Sequence, residues 1–247
     1  MTEYIATPLV NGFPAQSSSH GAFGWSSLWL LSNRSRRVLI DTGPPQYIPL
    51  IRTRLAAMDL TPFDITDVLL THLHWDHIAN FTMFPNAQLW VGDRELDWAA
   101  RQPAGSVHLS DLHVQEILRR SCDVGRIRAD HDVLPGIHVI DTAGHTPGHL
   151  AFLTQTAEGA FTFAGDAVKN LRELVTGVAD STMDPRASRR SIDRLRSLLR
   201  GEGDLLVPGH DAGLAFDGQQ VTRIDSAQAR VTYILDQGSS DQERTIP

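Results

Sequence analysis

The chain has 247 residues, of which 41% are hydrophobic and 21% are charged, and these values are ordinary for a globular protein of one sizeable domain or two small ones. Its formal net charge of −7 argues against a general nucleic-acid binder and against a protein that binds anionic membranes. The single cysteine, Cys122, excludes an intrachain disulfide, and the sequence shows neither a secretory signal nor an apolar run of ~20 residues, so we expect a cytoplasmic protein that does not contact a membrane.

Strands are predicted wherever a short run is rich in apolar and β-branched residues and is bounded by turn residues. In chain order, these runs are Ile5–Val10, Trp25–Leu31, Arg37–Ile40, Ile65–Leu70, Gln88–Val91, Ile137–Ile140, Leu150–Thr154, Ala160–Ala164 and Leu205–Val207. Residues 11–24 are polar and rich in Gly and Ser, and they predict a loop that borders a pocket.

Helices are predicted between several of these strands, because apolar residues recur there at helical spacing. One predicted helix contains Ile48–Met58, and another covers Ser110–Arg120. Two more predicted helices begin at N-caps, one at Asp93 and the other at Asp184.

The segment Thr71–His77 follows one of the predicted strands and places three imidazoles and a carboxylate close together in the chain. Side chains two residues apart in extended backbone point the same way, so His72, His74 and Asp76 can converge on one point, and His77 can reach a second point nearby. Such convergence suits a metal ion, because several lone pairs must meet one cation. The alternative is a run of surface or core histidines, but packing gives no reason for this clustering.

Ligand-type residues also follow three other predicted strands. His145, Asp166 and His210 each lie on a turn that contains Gly or Thr, directly after a strand, as His72 does. Sites are commonly built on loops at one edge of a rigid sheet. We therefore expect these residues to meet at one edge of the fold.

The order His72-x-His74-x-Asp76-His77, then His145, Asp166 and His210, resembles the metallo-β-lactamase superfamily of metallohydrolases. The segment Asp41-Thr42-Gly43 also resembles the turn that precedes the first helix in this family. The resemblance extends from about Trp25 to His210. It implies a four-layer αβ/βα sandwich, in which two β-sheets lie face to face with helices outside, and a single domain over residues 1–247.

The resemblance also implies two divalent metal ions, with zinc as the default and manganese, cobalt or iron as alternatives that affinity order does not separate. The first metal would take His72, His74 and His145, the second would take Asp76, His77 and His210, and Asp166 would bridge both. In this chemistry a metal-bound hydroxide attacks a carbonyl group, and Asp76 is the catalytic residue that passes a proton to the leaving group.

Supporting roles are predicted for residues beside these ligands. Asp41 and Thr71 are candidates for orienting the ligand imidazoles, with turn formation as the alternative role. His149 is expected to support the site through hydrogen bonds rather than to bind metal. Residues 17–25, 81–84 and 169–173 are expected to form the pocket wall, although a buried helix face is an equal alternative for residues 81–84.

Lys169 is a second catalytic candidate. In N-acyl homoserine lactone lactonases, which resemble this chain in their ligands, a tyrosine typically lies three residues after the bridging aspartate, and Lys169 has that place here. An ammonium there would bind a substrate carboxylate or stabilise an oxyanion. The alternative is a solvated lysine on a loop.

The resemblance favours hydrolysis of a carboxylic ester or lactone, as in the N-acyl homoserine lactonases. A thioester hydrolase of the glyoxalase II type is the first alternative, and a di-iron or mono-iron oxidoreductase is the second. A small-molecule substrate is the expected partner, nucleic acid and membrane are not, and a homodimer is left open.

Overall fold

A computed structural model describes residues 3–120, 123–225, 228–233 and 242–246. Cys122 lies outside these described residues. The strands are β1 Ile5–Val10, β2 Gln16–Ser17, β3 Gly21–Ala22, β4 Leu28–Ser32, β5 Arg37–Ile40, β6 Asp67–Leu69, β7 Gln88–Gly92, β8 Val124–Ile127, β9 Asp132–Leu134, β10 Ile137–Asp141, β11 Leu150–Gln155, β12 Ala160–Gly165, β13 Leu205–Pro208, β14 Leu214–Phe216, β15 Val221–Arg223, β16 Ala229–Tyr233 and β17 Gln242–Ile246.

The α-helices are α1 Ile48–Ala56, α2 Trp75–Ile78, α3 Asp93–Ala99, α4 Asp111–Arg119, α5 Leu171–Thr176 and α6 Pro185–Arg196, and 3₁₀ helices cover Pro45–Tyr47, Pro62–Asp64 and Phe81–Met83. No helix in the described ranges has the length and apolar character needed to span a membrane.

Two large sheets contain most of the strands. The first has the strand order β1-β4-β5-β6-β7-β8, and its neighbours from β5 to β8 are parallel. The second has the order β15-β14-β13-β12-β11-β10-β9, in which β12 and β13 are parallel. The short pairs β2-β3 and β16-β17 form separate two-stranded sheets.

The two sheets face each other across an apolar core, and the alternation of side chains along each strand explains this arrangement. On β4, Trp29 and Leu31 belong to the core between the sheets, whereas Leu28 and Leu30 belong to the core under the helices. Phe163 of β12 meets Trp29 across the gap, with ring centroids 5.9 Å apart.

Helices cover the outer face of each sheet. Helices α1, α3 and α4 pack on the first sheet, and helices α5 and α6 pack on the second. Their buried apolar side chains are Ile51, Leu55, Leu96, Val114, Ile117, Leu174, Ile192 and Leu195. The order of layers is helix, sheet, sheet, helix, so the predicted α/β fold, a four-layer αβ/βα sandwich, is confirmed.

Some predicted boundaries are wrong for local reasons. The strand predicted from Trp25 begins at Leu28, because Ser26 and Ser27 form hydrogen bonds with Asp76 and Gly209 instead of with a neighbouring strand. Asp93 is not an N-cap. Helix α3 begins at Asp93, and its N-cap is Gly92, while the Asp93 carboxylate accepts a hydrogen bond from Arg126.

Candidate metal centre

The predicted ligands come from loops at one edge of the sandwich. Strand β6 ends just before His72, and helix α2 begins immediately after His74 and carries Asp76 and His77. In the second sheet, His145 follows β10, Asp166 follows β12, and His210 follows β13. The two sheets are joined at this edge, since the Leu150 N–H donates to the Thr71 carbonyl at 2.9 Å.

The structure brings all seven predicted ligand side chains together. Asp166 is at the centre: its Oδ1 lies 3.2 Å from His77 Nε2 and 3.3 Å from His210 Nε2, and its Oδ2 lies 3.2 Å from His145 Nε2. His145 Nε2 lies 3.0 Å from His74 Nδ1, and His210 Nε2 lies 3.5 Å from Asp76 Oδ2. Ligand atoms lie within 4.8 Å of one another in each of three groups, which are His72 with His74 and His145, His72 with His77 and Asp166, and Asp76 with His77 and His210.

Three buried polar atoms in this cluster have no hydrogen-bond partner among the described residues. They are His72 Nε2, His77 Nε2 and Asp166 Oδ1. A buried polar group without a partner costs about 1–3 kcal/mol, so such atoms are rare in folded proteins. Their convergence fits a cation that accepts all three lone pairs.

The electrostatics of the cluster also fit a cation. Burial lowers the pKa of His72 and His145 well below the usual value and lowers the pKa of His74 to about 4, so these imidazoles are neutral, as metal ligands must be. Burial has the same effect on His77, but the carboxylates of Asp166, Asp41 and Asp76 outweigh it and raise the pKa of His77 well above the usual value. The negative charge that holds a proton there would also hold a divalent ion.

Asp41 and Thr71 make the contacts predicted for them. Asp41 Oδ2 lies 2.8 Å from His77 Nδ1 and accepts a hydrogen bond from the Thr71 hydroxyl at 2.8 Å. The same hydroxyl lies 3.0 Å from His72 Nδ1. Each imidazole is thus held through Nδ1, and its Nε2 is left to face the cluster.

His149 makes hydrogen bonds of the kind predicted for it. Its Nε2 accepts a hydrogen bond from the backbone N–H of Asp166 at 3.1 Å, and its Nδ1 lies 2.8 Å from the Thr142 hydroxyl. Burial lowers the pKa of His149 to about 3, so the ring stays neutral and Nε2 can accept.

Two further contacts were not predicted from the sequence. The carbonyl of Ser181 lies 3.0 Å from His145 Nδ1, and sequence gives no signal for it because any residue supplies a carbonyl. The ring of His108 lies 5.3 Å from that of His74, and the His108 carbonyl accepts a hydrogen bond from the Trp75 N–H at 2.9 Å. The loop that contains His108 therefore lies beside the site. No local sequence pattern indicates this contact, because the loop and His74 are far apart in the chain.

The predicted pocket wall stays a prediction for residues 17–25 and 169–173. Gly24 lies against the segment Thr71–His77, since a Cβ at this position would be 2.2 Å from the Trp75 ring and 2.8 Å from the Asp76 Cβ. Phe81 and Phe84 do not line a pocket, because both are buried in the core beneath α1, α3 and α4. The alternative of a buried face is therefore correct for these two rings.

Lys169 is not a solvated lysine, because only 13% of its side chain is exposed. Its Nζ lies 3.0 Å from Glu173 Oε1 and donates to the carbonyl of Asp180 at 2.5 Å. The predicted contact between Lys169 and a substrate stays a prediction.

An αβ/βα sandwich with histidines and aspartates gathered at its edge defines the metallohydrolase class that the sequence resembles. The family model of the metallo-β-lactamase superfamily matches residues 23–210, and the chain belongs to this superfamily.

Known proteins agree with this membership. The N-acyl homoserine lactonase AiiA of Bacillus thuringiensis subsp. kurstaki is 24% identical over 207 residues, covering 74% of this chain and 80% of AiiA. A solved structure of a Thermotoga maritima protein assigned to the metallo-β-lactamases matches with a TM-score of 0.68 and 24% identity, over 87% of this chain and 100% of that one. An AiiA variant from Bacillus thuringiensis, solved with N-decanoyl-L-homoserine at its active site, matches with a TM-score of 0.65 and 22% identity, over 85% of this chain and 94% of that one. Together these findings support a metal-dependent hydrolase.

Proposed function

We propose that this protein hydrolyses a carboxylic ester or lactone with two divalent metal ions, zinc by default. The observation that carries the proposal is the position of Asp166. One of its oxygens faces His77 and His210, and the other faces His145, so a single carboxylate adjoins both predicted ligand groups.

In this proposal, His72, His74 and His145 would hold the first ion, Asp76, His77 and His210 would hold the second, and Asp166 would serve both. Bound divalent ions supply a Lewis acid for the carbonyl oxygen and an activated water. The chain supplies orientation: Asp41, Thr71 and the Ser181 carbonyl hold three of the imidazoles through Nδ1.

Asp76 is the proposed proton donor to the leaving group. Its side chain is 14% exposed, whereas the Asp166 side chain is 6% exposed. It therefore lies nearer the open side of the cluster, where a substrate would enter. A carboxylate in that place can accept the proton that the attacking water releases and transfer it to the leaving oxygen as the carbon–oxygen bond breaks.

Two aromatic rings on the loop next to Asp76 support a substrate with an acyl chain. The rings of Phe23 and Trp25 stack with centroids 4.3 Å apart, on the loop whose Gly24 contacts Trp75 and Asp76. The similarity to AiiA favours a lactone within this class, since that relative is an N-acyl homoserine lactonase.

Metal analysis followed by a substrate panel tests the proposal. Protein purified without chelators should contain about two metal ions per chain, and it should hydrolyse lactones or aryl esters faster than thioesters and phosphotriesters. A chelator should abolish turnover, and added Zn²⁺ should restore it. Turnover that survives complete removal of metal would exclude the proposal, and a preference for thioesters would favour the glyoxalase II type instead.

A further inference from the structure

Glu173 is a buried carboxylate outside the predicted ligand set. It lies on α5 with no exposed surface. Its Oε2 accepts the Lys169 backbone N–H at 2.7 Å, and its Oε1 accepts the Asp180 backbone N–H at 2.7 Å and lies 3.0 Å from Lys169 Nζ. A buried charge is stable only when it is paired and hydrogen-bonded in this way.

Lys169 completes a closed set of contacts with this carboxylate. Its Nζ also donates to the Asp180 carbonyl, so both polar groups of the Asp180 backbone are held by the Lys169–Glu173 pair. Residues 169 and 180, which lie before and after α5, are thereby fixed against each other.

Each end of this set of contacts leads to a predicted metal ligand. The carbonyl of Ser181, the residue after Asp180, lies 3.0 Å from His145 Nδ1. The carbonyl of Lys169 accepts the backbone N–H of His210 at 2.8 Å. His145 and His210 belong to different ligand groups, so one ion pair reaches both halves of the centre.

We propose that the Lys169–Glu173 pair is a positioning device for the metal centre, which holds the Ser181 carbonyl against His145 and the Lys169 carbonyl against His210. Lys169 is then a positioning residue rather than a catalytic one. The inference rests on the metal ligands assigned in the proposed function.

Zinc titration of metal-free protein tests this role without a substrate. Glu173→Gln and Lys169→Met should each weaken Zn²⁺ binding by about 10- to 100-fold, the usual effect of losing a partner that orients a metal ligand. Because the two side chains act as one unit, the double variant should lose no more affinity than the worse single variant.

Arg172→Met is the matched control. Arg172 lies on the same helix and also faces Asp180, with its Nη1 3.7 Å from the carboxylate, but 76% of its side chain is exposed. Its removal should leave Zn²⁺ affinity unchanged. The double variant also guards against misfolding, because it leaves neither charge buried without its partner.

The His145 ring reports the geometry directly. In zinc-loaded wild type, the Nδ1–H proton should be protected from solvent by the Ser181 carbonyl and visible by NMR, and it should exchange faster in Glu173→Gln. If wild type binds no zinc, the proposed function fails. If wild type and Arg172→Met bind zinc and both pair variants bind it equally well, the positioning role is wrong. A rise in KM for anionic substrates in Lys169→Met alone, with Glu173→Gln unaffected, would make Lys169 a substrate contact and overturn the inference.

Discussion

The Asp41 carboxylate connects two predicted metal ligands, His77 directly and His72 through the Thr71 hydroxyl. Its oxygens accept hydrogen bonds from the backbone and the hydroxyl of Thr71, and Oδ2 lies 2.8 Å from His77 Nδ1. Asp41→Asn replaces one carboxylate oxygen with an NH₂ group. That NH₂ group would face a hydrogen-bond donor of Thr71 or His77 and could not accept its hydrogen bond. We expect about 10- to 100-fold weaker zinc binding, measured by competition with a chelator, and no change for the surface variant Asp64→Asn. Unchanged affinity in Asp41→Asn would show that His77 does not depend on this contact.

The two proposed ligand carboxylates should differ in their effects. Asp166 lies within 3.3 Å of histidines from both predicted ligand groups, whereas Asp76 lies 3.5 Å from His210, a histidine of its own group. Asp166→Ala should therefore lose most of the bound metal, and Asp76→Asn should keep most of it while kcat falls by roughly 10²-fold or more, because an amide cannot donate the proton. Elemental analysis and initial rates on the same samples check both results. Wild-type kcat in Asp76→Asn would remove it from the chemistry.

At the residue scale, side-chain chemistry was predictable from sequence and backbone contacts were not. The seven candidate ligands that the structure brings together were predictable because imidazoles and carboxylates at this spacing are typical of metal sites and serve no purpose in packing. Ser181 acts through its carbonyl, and the Lys169–Glu173 pair acts through the neighbours it fixes, so neither leaves a pattern in the sequence.

Helix α3 ties together the two loops that carry the first ligand group. Glu95 is 1% exposed, and its carboxylate accepts the N–H of Leu73 at 3.0 Å and the N–H of Gly148 at 3.1 Å. Glycine is needed at position 148, since a Cβ there would lie 2.0 Å from the Glu95 nitrogen. The helix thereby fixes the distance between the loops of His74 and His145.

Burial raises the pKa of Glu95 from 4.5 to about 7, and this gives a pH dependence to the stability of the metal-free protein. Between pH 4.5 and 7 the folded state keeps a proton that the unfolded state has released, so the free energy of unfolding should fall as pH rises through this window. The fall attributable to Glu95 is about 3 kcal/mol. Denaturant unfolding at about pH 4 and about pH 8, on either side of that transition, measures it, and Glu95→Gln should lose this part of the dependence. Parallel pH profiles for the two proteins would contradict the prediction.

At the element scale, strands that end at a clear turn signal were predicted well. Strands β1 and β5 have the predicted bounds, because turn residues follow each of them, Asn11-Gly12 after β1 and Asp41-Thr42-Gly43 after β5. Strand β8 was not predicted, because Gly125 and Arg126 break its apolar run and its pairing with β7 determines its conformation. The Asp93 error has a similar origin, as a contact with Arg126, distant in sequence, determines where that side chain lies.

The whole molecule brings the site together from both sheets. His72, His74, Asp76 and His77 belong to the first sheet's loops, and His145, Asp166 and His210 belong to the second's. The position of these residues after predicted strands indicated that they meet at one edge of the fold, and the family resemblance supplied the two facing sheets. Spacing alone could not show how two sheets pack, because that depends on contacts between residues far apart in the chain, such as Trp29 and Phe163.

We propose that residues 1–247 form a single domain that the metal ions clamp across the two sheets. Metal-free protein should unfold in one calorimetric transition, because the core between the sheets is shared. Free Zn²⁺ at about 100 times its dissociation constant should stabilise the fold by about 2.7 kcal/mol per site and raise the Tm of that same transition. His210→Ala, which removes a ligand of one proposed ion, should show a smaller rise. Two separate transitions, of which zinc shifts only one, would divide the chain into two domains and place the metal within one of them.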